Sequence, residues 1–172
     1  MNFYVLRHGL AVEPGTPGYK DSERPLTPKG ERKLWRITEA MAAMDLSFDL
    51  IVCSPYLRAR QTAGIVAEAF DTRKKLEFSE ALAPAGSPKE LLGWLNHRKP
   101  SPENVLLVGH EPYLSELISL LVSGDAGFSV TMKKGGLCKL SLNSVPYGRC
   151  ATLEWLLTPK QMALMGLGLA DD

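Results

Sequence analysis

Two histidines and two arginines stand where apolar runs of the chain break off. Arg7-His8-Gly9 follows the run at residues 2–6, Ser54-Pro55-Tyr56-Leu57-Arg58 follows residues 49–53, and Gly109-His110-Glu111-Pro112 follows residues 104–108. An arginine is a forked, permanently charged donor whose geometry matches phosphate oxygens. Arg58 also falls just inside a helix, whose N-terminus favours anions. A neutral imidazole, with an ordinary pKa of about 6.5, is a nucleophile near neutral pH, and on capturing a phosphoryl group it splits one displacement into two. A second imidazole can donate a hydrogen bond to the transferring oxygens as their charge spreads. His8 is therefore the candidate nucleophile, Arg7 and Arg58 the candidate oxygen clamps, and His110 the candidate transition-state donor. Gly9 is expected to let the backbone approach a phosphate with no Cβ in the way.

These residues converge only if the runs before them are strands sharing one sheet edge. Residues 2–6, NFYVL, are aromatic and branched and end at a charged pair, which reads as a buried strand. Residues 10–26 hold Pro14, Gly15, Pro17, Gly18 and Pro25 and are expected to form a long functional loop. Thr27-Pro28 reads as a helix N-cap with proline in the first turn, opening a helix to about Met44. A strand at 49–54 and a helix at 56–70 repeat the unit. A weaker strand at 76–78, a helix after Ser87-Pro88, the strong run at 104–109 and a helix through Leu114, Leu117, Ile118 and Leu121 complete it. After Gly124 the pattern changes. Residues 137–142 and 150–157 alternate about turn residues Asn143–Gly148 as a hairpin-like pair, and Pro159 opens a short last helix. The expectation is an α/β fold of three layers, α/β/α, with a mainly parallel sheet carrying an antiparallel edge strand. Ligands of such sheets bind beyond the carboxyl ends of the strands.

Composition narrows the function. At 172 residues and 45% hydrophobic, residues 1–172 are expected to form one domain. A formal net charge of +1 supplies no global basic field, so neither a nucleic-acid partner nor a membrane is expected. Cys53, Cys138 and Cys150 lie far apart in no metal-ligand spacing, which argues against zinc or a disulfide framework and for a reducing, cytoplasmic setting. The opening MNFYVLRHGL is too short an apolar run for a signal peptide or a membrane span.

RHG at 7–9, SPYLRARQTA at 54–63 and GHEP at 109–112, in this order, resemble the three signatures of the histidine phosphatase superfamily, whose fold is phosphoglycerate mutase-like. The ERPLTPKG segment at 23–30 and the ending GLCKLSL…LEWLLTP over 136–159 most resemble its SixA-type phosphohistidine phosphatases. The resemblance implies His8 as the phosphorylated residue, Arg7 and Arg58 as the clamp, His110 as the stabiliser, Arg24 near the pocket, and no metal or other cofactor. Acid-bearing branches place a carboxyl group just after a leucine in the loop following the third strand, and here Leu82 is followed by Ala83-Pro84. Glu80, Glu13 and Glu111 are the candidate substitutes, Glu80 foremost, set against the plainer reading of each as a solvated loop or helix-terminus carboxylate. An ester needs such an acid for its leaving alkoxide, whereas the imidazole of phosphohistidine is protonated near neutral pH. The expected substrate is thus a phosphohistidine-bearing signalling or phosphotransfer protein. A small phosphorylated metabolite, cleaved by the same His8 chemistry, is the alternative, ahead of a mutase and of a non-catalytic phospho-binding module.

Overall fold

The computed structural model describes residues 1–125, 127–143 and 148–167. Six strands form one sheet: β1 (Asn2–Arg7), β2 (Leu50–Cys53), β3 (Leu76–Phe78), β4 (Asn104–Gly109), β5 (Leu137–Leu142) and β6 (Ala151–Leu157). Their order is β3-β2-β4-β1-β5-β6. The pairs β2–β3, β2–β4 and β1–β4 are parallel, while β5 runs antiparallel to both β1 and β6. The antiparallel edge is therefore the β5–β6 pair, and most of the expected turn Asn143–Gly148 between them lies outside the described residues.

Successive side chains of a strand face opposite sides of the sheet, so strands buried on both faces read as continuous apolar runs. Phe3, Val5, Val52, Val105 and Leu107 pack on one face beneath α3 (Pro88–Asn96) and α4 (Tyr113–Ser123). Tyr4, Leu6, Ile51, Leu106 and Val108 pack on the other against α1 (Pro28–Ala43), α2 (Leu57–Ala69) and α5 (Pro159–Leu167). Local chemistry starts two of the helices where expected. The Thr27 side chain accepts from Gly30 N at 3.0 Å and that of Ser87 from Glu90 N at 3.3 Å, each with proline in the first turn.

Backbone pairing continues past the strand ends and draws the site together. His8 N donates to the Gly109 carbonyl at 3.1 Å and Ser54 N to that of Val108 at 3.0 Å. Arg7 stands opposite Gly109 in the β1–β4 register. The ends of β1, β2 and β4 thus meet at one rim.

Candidate functional site

His8, Arg58 and His110 are all but sealed, at 5%, 3% and 2% exposure. The His8 and His110 rings lie 5.1 Å apart between centroids. Nδ1 of His8 sits 2.7 Å from the Gly9 carbonyl, which can only accept, so Nδ1 carries the hydrogen. The lone pair is then on Nε2, where it accepts Nε–H of Arg58 at 3.3 Å. This is the tautomer a nucleophile requires. Burial is the largest cause that drives the His8 pKa down to about 3; the Gly9 carbonyl opposes it, and His110, Arg58 and Arg7 add to it. His8 is therefore neutral at physiological pH.

His110 is fixed from below. Ser54 Oγ accepts Tyr56 N–H at 3.3 Å and stands 2.8 Å from His110 Nε2. With the hydroxyl hydrogen given to Nε2, the hydrogen of a neutral His110 belongs on Nδ1, a buried atom without a partner among the described residues. Burial, then Arg58, lowers the His110 pKa to about 3, with Asp21 opposing. Arg7 faces the α4 side, donates Nη1–H to the Met132 carbonyl at 2.7 Å, and leaves its buried Nε equally unpartnered. Two orphaned nitrogens, Arg7 Nε–H and, in that tautomer, His110 Nδ1–H, beside a neutral imidazole suit an anion with several oxygens.

The loop after β1 adds a carboxylate that the motifs did not indicate. Asp21, in a 3-10 turn at Asp21–Glu23, accepts Nε–H and Nη2–H of Arg24 on Oδ1 at 2.8 and 2.7 Å, and Nη2–H of Arg58 on Oδ2 at 3.2 Å. Its backbone carbonyl takes Arg58 Nη1–H at 2.6 Å. Arg24 is itself buried and donates Nη1–H to Val12 O at 2.5 Å. Asp21 stays ionised because hydrogen bonds and charges from Arg24 and Arg58 outweigh its partial burial and hold its pKa below the usual carboxylate value. The only sequence signal for it was a carboxylate three residues before Arg24 inside an unusually long loop.

Other expected residues are placed differently. The Cβ that Gly9 lacks would meet Leu34 Cδ1 at 2.7 Å and Leu26 Cδ2 at 3.3 Å, so the glycine admits the α1 core rather than clearing space for a phosphate. Its N–H is taken by Thr62 Oγ1 at 3.0 Å, whose own hydrogen goes to Arg58 O at 2.7 Å. Thr62 thereby ties the His8 loop to α2. Glu80 is exposed, in a short turn after β3, with no side-chain hydrogen bond or ion pair among the described residues. Glu13 pairs with Lys134 at 3.4 Å, and Glu111 binds Ser115 at the start of α4. The cavities of about 550 and 490 Å³ lie in the α1–α2 groove and beside Asp49 and Arg98, and neither is lined by Arg7, His8, Arg58 or His110.

Comparison with known proteins gives the family. The family model of the histidine phosphatase superfamily (branch 1) matches residues 3–83. An uncharacterized protein of Picosynechococcus sp. is 36% identical over 141 residues, covering 81% of this chain and 84% of that one. The phosphohistidine phosphatase SixA homolog of Haemophilus influenzae is 30% identical over 129 residues, covering 70% and 77%. Among solved structures, protein histidine phosphatase SixA complexed with tungstate superposes with a TM-score of 0.79 at 24% identity, over 93% of this chain and 98% of that one. The fold is thus the phosphoglycerate mutase-like one expected.

Proposed function

The chain belongs to the histidine phosphatase superfamily (branch 1) and is a phosphatase, and from that premise we propose that it hydrolyses protein phosphohistidine through a phosphoryl group carried on His8. The observation that carries the chemistry is the His8 imidazole, buried and neutral, with Nδ1–H held by the Gly9 carbonyl and the Nε2 lone pair toward Arg58. Nε2 attacks phosphorus in line, the bond from phosphorus to the leaving group breaks, and its electron pair departs with that group. Water then attacks phospho-His8, and the electron pair of the P–N bond returns to Nε2. Arg7 and Arg58 neutralise the phosphoryl oxygens, His110 Nδ1–H donates to one of them, and Arg24 holds the outer edge through Asp21.

The choice of phosphohistidine is supported by the carboxylates. Asp21 is ionised and tied to two arginines, the Glu80 side chain is exposed with no hydrogen bond or ion pair among the described residues, and Glu111 is bound to Ser115. A substrate whose leaving group arrives protonated suits this arrangement better than an ester. The relative of H. influenzae bears a phosphohistidine phosphatase name. We place the activity in the cytoplasm, where the thiols of Cys53, Cys138 and Cys150 stay reduced, with residues 1–172 acting as one domain on a phosphorylated signalling or phosphotransfer protein. Turnover of a phosphohistidine-bearing protein against a panel of sugar and aryl phosphates tests the reading. Faster hydrolysis of the sugar esters refutes it.

A further inference from the structure

The transfer joins two imidazoles through one phosphorus, and the structure shows how one of them is managed. His8 keeps a hydrogen on the nitrogen remote from phosphorus because Nδ1–H donates to the Gly9 carbonyl at 2.7 Å. That proton lets His8 depart from phosphorus as a neutral ring in the second step. The substrate imidazole has the same need in the first step, and with no proton on its remote nitrogen it must leave as an imidazolate. A hydrogen-bond acceptor on the substrate side of the rim favours the form that carries this proton.

Asp21 is so placed. It belongs to the same hydrogen-bonded chain as the nucleophile, linked to His8 Nε2 through the single guanidinium of Arg58. Its Oδ1 is engaged twice by Arg24, whereas Oδ2 has one partner, and the side chain is 55% exposed where Arg58 and Arg24 are 4% and 8% exposed. A carboxylate oxygen can accept more than one hydrogen bond. Oδ2 thus retains acceptor capacity at the open side of a cluster whose nearest charges, Arg24 and Arg58, are positive, while Glu111 lies beside Arg7. We propose that Asp21 is the selectivity-determining residue of the site: its carboxylate, braced by Arg24 and Arg58, accepts the remote N–H of a protonated phosphoimidazole and holds that proton in place while the P–N bond breaks.

No proton passes to Asp21. The phosphorus bond to His8 Nε2 forms, the bond to the substrate nitrogen breaks, the pair stays on that nitrogen, and neutral imidazole leaves with its remote hydrogen. An ester oxygen has no remote N–H, so it gains nothing from the carboxylate and meets its negative charge. The inference rests on the phosphohistidine reading and assigns its preference to one side chain.

The test compares wild type, Asp21→Asn and Asp21→Glu on free N-phosphohistidine and on p-nitrophenyl phosphate from pH 5 to 9. Asparagine keeps an oxygen for the arginines and loses the charge. Asp21→Asn is expected to lower kcat/KM for N-phosphohistidine by about tenfold, the weight of one charge-assisted hydrogen bond, and the aryl ester by a clearly smaller factor. The alkaline limb of the N-phosphohistidine profile is expected to move to lower pH, as the bound imidazolium loses its carboxylate, with the ester profile in place. His8, His110, Arg7, Arg24 and Arg58, together with Glu111 acting on Arg7 and Tyr56 beside Arg58 and His110, are common to both substrates, so the difference between profiles isolates the leaving group. Asp21→Glu is expected to restore part of the preference. Equal losses on both substrates, with the wild-type preference for N-phosphohistidine intact, overturn this inference alone and leave Asp21 as a brace for the arginines. A wild-type preference for the ester overturns this inference and the phosphohistidine reading together.

Discussion

His8 can act as a nucleophile because three separate contacts agree on its protonation: the Gly9 carbonyl on Nδ1, Arg58 on Nε2, and burial against the charged form. Replacing His8 by Ala removes the covalent acceptor and leaves the arginines. We expect turnover to fall by at least roughly a thousandfold, with tungstate binding, read by calorimetry, within several-fold of wild type. A variant that turns over normally excludes the phospho-His8 route. Ser54 acts at one remove: its hydroxyl stands 2.8 Å from His110 Nε2, and when it donates there His110 presents Nδ1–H. Ser54→Ala is expected to lower kcat by about tenfold, one hydrogen bond to a transition-state donor, with KM nearly unchanged. A rise in KM with kcat intact places Ser54 in substrate binding instead. Arg7, His8, Arg58 and His110 were legible because each follows an apolar run, and a strand end is a position that sequence can locate. Asp21 was not, because its meaning lies in Arg58, whose approach depends on how a proline- and glycine-rich loop folds back over the sheet edge. Gly9 was legible as a special position and misread as to cause: the neighbour that excludes a Cβ is Leu34, a core residue of α1.

Helix α1 shows how an element's own sequence and its surroundings can pull in opposite directions. Glycine within a helix costs about 1 kcal/mol relative to alanine, and both Gly30 in α1 and Gly64 in α2 stand inside helices. A Cβ at Gly30 would lie 2.1 Å from the Leu10 carbonyl oxygen, while at Gly64 nothing stands within 4 Å. Gly64→Ala is thus expected to raise Tm by about 2–4 °C, the equivalent of about 1 kcal/mol in a chain of this size. Gly30→Ala is expected to lower Tm and also activity, because Leu10 belongs to the loop that leads from His8. Thermal unfolding of the two variants side by side decides; a Gly30→Ala variant as stable as Gly64→Ala means that the loop yields without cost. Helix starts were readable from Thr27-Pro28 and Ser87-Pro88, where cap and proline are local signals. Sheet order was not, since the insertion of β4 between β2 and β1 depends on pairings 55 residues apart on one side and 102 on the other.

Across the whole molecule, the meeting of three strand ends buries two imidazoles among guanidinium groups, and that arrangement sets how stability depends on pH. In the unfolded chain His8 and His110 take up protons near pH 6.5. In the fold both are held to about 3, by burial first and then by cationic neighbours. Between those values the unfolded chain binds more protons, so stability present above pH 6.5 is lost as pH falls toward 3, with a slope of up to about 1.4 kcal/mol per pH unit for each histidine. Asp21, with its pKa lowered, adds to the loss at the acid end, while Glu111, whose pKa is raised by burial, offsets part of it. Thermal unfolding from pH 7 to 4 is therefore expected to show a falling Tm, and His8→Gln, which removes one of the two histidine contributions, a shallower fall over pH 6 to 4. Both proteins share Asp21, Glu111 and every surface carboxylate, so the difference in slope reports His8 together with its coupling to His110. Parallel slopes for the two proteins show that His8 titrates in the fold as it does in water, and the neutral buried nucleophile is then lost with it.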